Sequence, residues 1–294
     1  GTHSEVHGRA VDPGRHIGGL SSGGLGATDI GNKDAIGGLA RSFYARVAAA
    51  YGKTGTQWTF EPHVALGIFE ALVKESGLPL FLDEKLDRSG GVVKDKNRII
   101  RIQTKAGRVF KGKMFVDATY EGDLMAAAGV SYTVGREGNG LYGENLNGNH
   151  PELAVSHQFG VRVDPYKVEG DAGSGHLPGV ESAGPGEAGA GDKRVQAYNF
   201  RLCLTNRPEN RLPIPKPGRY DPSLYEIMAR YLKARPGLKL GELFSISLMP
   251  GGKTDINNHG PVSSDFIGQN YAYAEADDEE RARIVQAHRD YTQG

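Results

Sequence analysis

Apolar residues recur along this chain in rhythms that change at identifiable places. Across residues 59–77 (TFEPHVALGIFEALVKESG) the spacing is helical: Val64, Ile68, Phe69, Leu72 and Val73 fall on one stripe, Pro62 sits in the first turn and Gly77 stops the run. A helix is also predicted over residues 33–50, and LPLFL at 78–82 reads as a buried strand. From 91 to 118 the rhythm shortens to alternation. It predicts three or four short strands separated by Lys96-Asn97 and Ala106-Gly107, a β-meander closing on an apolar strand at 114–116. Strand patterns return at 154–164 and 195–205. Asp221-Pro222 opens a helix with Leu224, Ile227, Met228, Tyr231 and Leu232 on one face, and a last helix begins at Asp277 with Glu280 in capping-box spacing.

Composition narrows the partners. Lys plus Arg and Asp plus Glu stand at 35 each, so net charge supplies no attraction to nucleic acid or an anionic membrane, and a small or neutral partner fits better. No apolar run approaches the roughly 20 residues that span a bilayer, and the opening GTHSEVHGRAVD carries no signal-peptide core. The expectation is a soluble chain whose compartment and oligomeric state the sequence does not fix. Cys203 is the single cysteine, which removes disulfide scaffolds, and no His/Cys/carboxylate spacing suggests a metal site. Glycine is frequent, at 43 residues, in two contrasting stretches. Residues 18–38 interleave it with Leu, Ile and Ala and can pack. Residues 170–191 mix it with Ser, Pro, Asp and Glu and are expected to form a flexible insert.

Candidate chemistry gathers at a few places. GxGxxG occurs twice, at 138–143 and 184–189, but neither string follows an apolar strand or opens a periodic helix, so both read as loops rather than phosphate cradles. A better signal is Asp12 at a strand end, followed by the small-residue loop HIGGLSSGGLG and, much later, by VDATYEGDL. An acid at such a strand end can accept ribose hydroxyls; Asp-Pro-Gly is equally good turn chemistry. Gly18, Gly19, Gly23 and Gly24 allow close approach to a flat ring, as they would allow a flexible loop.

The segments at 12–38, WTFEPHV, VDATYEGDLMAAAGVSYTVGRE, AYNFRLCLTNRPENRLPIPKP and KTDINNHGPVSSDFIGQNYAYAEAD together resemble the FAD-dependent oxidoreductases of the glutathione-reductase-like superfold. The resemblance covers nearly the whole chain. It implies an α/β fold: a partial Rossmann-like FAD-binding domain with a β-meander over residues 1–134, and an inserted α+β substrate domain over 135–294. By position it places Asp12, where the family usually carries Glu, on the adenosine ribose. It sets Gly18, Gly19, Ser22 and Gly23 along the flavin, and Thr119, Gly122 and Asp123 in the turn beside the cofactor. Asp123 would there accept a ribityl hydroxyl or cap the next helix. The family's opening strand and GxGxxG turn are not found upstream of Asp12, nor is its closing C-terminal segment found, so the chain reads as truncated at both ends.

Flavin chemistry resides in the isoalloxazine, so the protein must position a substrate and manage protons. Alternation in YNFRLCLT puts Arg201 on the face opposite Tyr198 and Phe200, directed into a cleft or to solvent. DINNHGPVSSD gathers Asp255, Asn257, Asn258 and His259; His259 could exchange a proton and Asn258 hold a substrate hydroxyl, or the loop could satisfy its own backbone. The resulting expectation is an FAD-dependent oxidoreductase transferring a hydride between flavin and a small hydroxylated substrate. The alternatives are a non-catalytic remnant acting as an interaction module and, more distantly, a glycan-binding protein.

Overall fold

The computed structural model describes residues 8–294. The chain divides into two compact units, Gly1–Thr133 with Leu248–Lys253, and Val134–Ser247 with Thr254–Gly294. Each is a mixture of helices and small sheets of two or three strands.

In the first unit β1 (Ala10–Val11) leads through the short helix α1 (Gly19–Gly23) to α2 (Gly38–Ala50) and α3 (Pro62–Ser76), and the chain returns as β2 (Leu80–Phe81), parallel to β1. Parallel neighbours need a long crossover, which the helices supply. The predicted helix at 33–50 is split: a 3-10 turn occupies Lys33–Ala35, Ile36 and Gly37 are extended, and α2 starts only at Gly38. The predicted stripe of α3 forms the core with α2. Tyr44, Val47, Phe60, Ala65 and Ile68 are buried, and Phe43 stacks on Phe69 at 5.0 Å while meeting Phe60 edge-on at 5.4 Å. Gly77, at φ 65°, ends α3 in the left-handed conformation that a side chain resists.

The start of α3 departs from the usual pattern. Glu61 stands at the N-cap but caps nothing; its side chain turns to Lys253 Nζ at 2.6 Å and accepts from Tyr51 Oη at 3.2 Å. Glu61 is only 8% exposed, and a Cβ at Gly251 would lie 2.6 Å from its Oε1, so the 248–253 loop is pressed against this carboxylate. Burial pushes the Glu61 carboxyl up, but Lys253, Tyr51 and the charge of His63 outweigh it and hold the group below the usual carboxylate range.

The meander forms as β3 (Val92–Asp95), β4 (Arg98–Gln103) and β5 (Val109–Lys111), antiparallel in sequence order, with Lys96 at φ 54° in the first turn. The expected further strand at 114–116 is absent. Met114 and Val116 lie exposed in irregular chain, because an apolar run becomes a strand only where a partner edge receives its backbone groups. A short helix, α4 (Asp123–Ala127), follows.

The second unit contains α5 (Asn139–Tyr142), β6 (Tyr166–Val168), β7 (Asp171–His176), α6 (Glu226–Ala234), β8 (Phe244–Met249), β9 (Lys253–Asn258) and α7 (Asp278–Gln293). The loop between β8 and β9 is the piece that groups with the first unit. Neither 154–164 nor 195–205 forms the expected continuous strand; the second makes only isolated bridges, Leu202 to Ile256 among them. Pairing appears instead at the start of the polar glycine stretch, where β7 lies antiparallel to β6. Turn closure decides this, not side-chain alternation: Gly170 takes φ 80°, and the Asp164 carboxylate accepts from the amides of Tyr166 and Gly170, both at 2.8 Å. The two GxGxxG strings are also explained. Asn139 N donates to Gly189 O at 2.9 Å, Gly189 N donates to Asn149 O at 2.7 Å, and a Cβ at Gly148 would lie 2.8 Å from Gly189 O. The strings are stitched to one another backbone to backbone.

Replacing Glu61 with Gln is expected to destabilise the protein by about 1–3 kcal/mol, the cost of leaving a buried polar partner poorly matched. Because the Glu61 carboxyl is held below its ordinary value, its stabilisation is complete above that value and is lost as pH falls through the lowered one. Urea unfolding of wild type and E61Q at neutral and acid pH should therefore show a difference that shrinks in acid.

Candidate functional site

On the cofactor side, all the residues singled out by sequence lie in the first unit. Asp12 follows β1; its N–H donates to Phe81 O at 2.8 Å and its carbonyl accepts from Glu84 N at 3.0 Å. Its Oδ1 accepts from Gly14 N at 2.7 Å, closing the Asp-Pro-Gly turn, and no described residue bonds Oδ2. Both properties weighed for Asp12, turn-former and available acceptor, thus coexist in one side chain.

The loop at 18–24 owes its path to close packing. A Cβ on Gly18, at φ 99°, would fall 2.3 Å from the Phe69 ring, and one on Gly19 would fall 2.3 Å from Tyr120 Oη. Ser22 Oγ turns inward and donates to Ile17 O at 2.5 Å, whereas Gly23 has nothing within 4 Å of where its Cβ would be.

The VDATYEGD turn is organised by Asp117. Its Oδ1 accepts from Thr119 N at 2.9 Å and Thr119 Oγ1 at 2.7 Å, and its Oδ2 accepts from Met125 N at 3.0 Å. Burial raises the Asp117 carboxyl, and these donors more than reverse the effect, so it lies below the usual range. Thr119 Oγ1 accepts in turn from Gly122 N at 3.0 Å, and Gly122 is left-handed at φ 70°. Asp123 does not cap α4; it pairs with Arg88 at 3.5 Å.

Loop and turn meet at Tyr120, whose Oη accepts from Leu20 N at 2.9 Å. At this contact Tyr120 is 72% exposed, and Leu20 is also exposed. Tyr120 thus lies over Gly19 and joins the glycine loop to the hydrogen-bonded turn. Sequence reasoning passed over Asp117 and Tyr120. The Asp-x-Thr spacing could have revealed the first; the second needs the fold.

The second unit holds a polar cluster. Arg201 is directed inward, with Nε at 2.9 Å and Nη2 at 2.6 Å from Asp255 Oδ1, and the two side chains are only 10% and 1% exposed. Asn258, at the end of β9, places its amide nitrogen 3.2 Å from His157 Nδ1, and the Gly260 carbonyl lies 3.3 Å from that same nitrogen. His157 has φ 59°, rare for a residue with a side chain. The rings of His157 and His259 stand edge to face at 6.3 Å. Both border an open cavity of about 240 Å³ together with Tyr231, Gly260 and an Arg235–Glu242 pair at 3.0 Å. Nearby, burial pushes the Asp265 carboxyl above its usual range, against the Asn199 hydrogen bond and the charges of Arg201, His288 and His157. Asn258 and His259 are thus brought together, Arg201 is one chain segment away on Asp255, and His157 was missed because its segment reads as strand. A wider cavity of about 910 Å³ has Arg136, Arg194, Glu181 and Tyr271 in its wall; the two arginines share Asp192 and hold it far below the usual carboxylate range.

A family model described as FAD dependent oxidoreductase matches residues 10–294. The chain belongs to this family. It is therefore an FAD-dependent oxidoreductase, with FAD as cofactor and redox chemistry as its activity. No curated protein and no solved structure matches it. Among the described residues no helix is long and apolar enough to cross a membrane.

Asp117→Ala should cost about 1–3 kcal/mol in urea unfolding by stripping the turn of its acceptor, whereas Asp123→Ala, which removes one ion pair, should cost under about 1 kcal/mol. Arg201→Ala strands a buried carboxylate and should cost about 3–5 kcal/mol. Replacing Arg201 and Asp255 together by apolar residues should recover most of that loss in thermal melts.

Proposed function

We propose that this FAD-dependent oxidoreductase transfers a hydride between flavin and a small hydroxylated organic substrate. The observation that carries the cofactor half is the meeting of the 18–22 loop with the 117–123 turn through Tyr120. The first unit is read as a partial Rossmann-like FAD-binding domain and the second as the inserted substrate domain. The parallel β1–β2 pair joined through helices, the adjoining meander and the chain division after Thr133 support that reading.

Bound FAD would supply the hydride acceptor or donor. Asp12 would take a ribose hydroxyl on Oδ2. Gly18, Gly19, Ser22 and Gly23 would form the floor beneath the ring, and Thr119, Gly122 and Asp123 its border. On the substrate side, His259, which borders the smaller cavity, and Asn258 beside it in the chain would engage the hydroxyl. Arg201, committed to Asp255, would act by holding β9 and hence Asn258 in place.

The test begins with flavin retention. The chain purified with excess FAD and then desalted should keep flavin absorbance, and Gly19→Val, which drives a side chain into Tyr120, should weaken that retention at least about tenfold, the equivalent of 1.4 kcal/mol. The loaded protein is then mixed anaerobically with a panel of alcohols, polyols and α-hydroxy acids. Bleaching of the flavin by members of the panel is expected. Bleaching by reduced nicotinamide nucleotides but by no hydroxylated compound would reject the donor class.

A further inference from the structure

The wider cavity, of about 910 Å³, has no role in the function proposed above, and every residue lining it belongs to the second unit. Its size is near the top of the range for small-molecule sites, about 300–1,000 Å³. Its wall is held by the protein's own bonds. The main chains of Arg136 and Asp192 exchange two hydrogen bonds, at 2.8 and 3.0 Å, and a Cβ on Gly135 would strike the Asp192 carbonyl. Asn270, only 1% exposed, donates from Nδ2 to the Gln196 carbonyl at 2.8 Å and so ties the 267–271 segment to the 194–196 segment.

Electrostatics narrows the ligand. Arg136 and Arg194 both direct guanidinium nitrogens to Asp192, and Arg194 Nη1 stands 3.6 Å from Glu181 Oε2. Two cations and two anions leave the wall without net charge, so neither an anion nor a cation gains net attraction from it. A wholly apolar ligand would strip water from these groups and offer them nothing in return. The groups left available are planar and polar. No described residue bonds the side-chain amides of Gln196 and Gln269 or the Tyr271 hydroxyl. That hydroxyl lies beside Glu181, since a Cβ on Gly268 would be 3.7 Å from Tyr271 Oη and 4.0 Å from Glu181 Oε1. Burial, and after it the charge of Glu181, pushes the phenol up, so it keeps its proton to donate. Val180, Val195 and Ile267 add apolar surface to the same wall.

We propose that this cavity binds a neutral polyhydroxylated ring, a sugar or a glycoside. Each ring hydroxyl both donates and accepts, and the amides of Gln196 and Gln269, the Tyr271 phenol and the Arg194–Glu181 pair offer it both roles. The C–H faces of such a ring need apolar neighbours, which Val180, Val195, Ile267 and the Tyr271 ring supply. Asp192 holds the two arginines in place without help from the ligand, so little ordering is left for binding to accomplish. Binding there draws on the second unit alone and does not depend on the donor class proposed above.

The test is a titration of the FAD-loaded full chain, followed by saturation-transfer NMR. The neutral probes are the methyl glycosides of glucose, galactose and mannose, with cellobiose as a longer one; glucuronate, inorganic phosphate and benzyl alcohol are the charged and apolar counterparts. At least one neutral probe should bind with a Kd of about 1 mM or tighter, and each counterpart at least about tenfold more weakly. Gln196 and Gln269 are both exposed, so replacing the two together by Ala spares the fold. That double variant should weaken the neutral probe at least about tenfold while flavin retention and Tm stay unchanged. Glu181→Gln leaves the wall with a net positive charge; it should improve glucuronate binding and change the neutral probe little. Failure of every neutral probe to bind, binding of phosphate or glucuronate to the wild type as tightly as any neutral probe, or full binding by the double variant would each overturn the proposal. None of these readouts involves flavin reduction, so a failure here is distinct from a failure of the alcohol panel.

Discussion

A carboxylate withdrawn from water must find donors or give up its charge, and this chain uses that requirement where other folds use long strands. With 38% apolar residues and sheets of two or three strands, much of the chain is irregular and cannot rely on a continuous hydrogen-bond ladder. Four acids take over the task. Glu61 gathers Lys253 and Tyr51, Asp117 gathers the amides and hydroxyl of the 117–125 turn, Asp192 gathers two arginines, and Asp255 gathers Arg201. Each is a hub that fixes a loop.

This explains what could and could not be seen in the sequence. The α3 stripe with Pro62 and Gly77, the three-stranded meander with its Lys-Asn turn, and the Asp277 start of α7 are local patterns, and each formed as expected. The runs at 114–116 and 154–164 have the alternation of strands but pair with no edge among the described residues, and 195–205 gains only isolated bridges, Leu202 to Ile256 of β9 among them, a fact decided elsewhere in the chain. Conversely β7 arises in a stretch of unpromising letters because Asp164 and Gly170 close a hairpin there. Periodicity reports which faces are apolar. It does not report which backbone will be near.

The candidate site follows the same division. Asp12, the glycine loop and the 117–123 turn were legible as segments, and Asn258 with His259 as a polar loop. What joins them was not: Tyr120 reaches the loop across 100 positions, and His157 reaches Asn258 across 101. Both partners are ordinary residues in their local context. Arg201 shows the limit from the other side, since alternation gave its face but could not say that Asp255 would occupy the guanidinium.

The glycines at 138, 148 and 191 perform no chemistry, yet main chain approaches main chain there with no room for a methyl group. Their importance would register as intolerance, not as lost reactivity. A survey of substitutions would mark these positions as strictly as any catalytic group, and a reader ranking residues by invariance would mistake a structural seam for a binding loop.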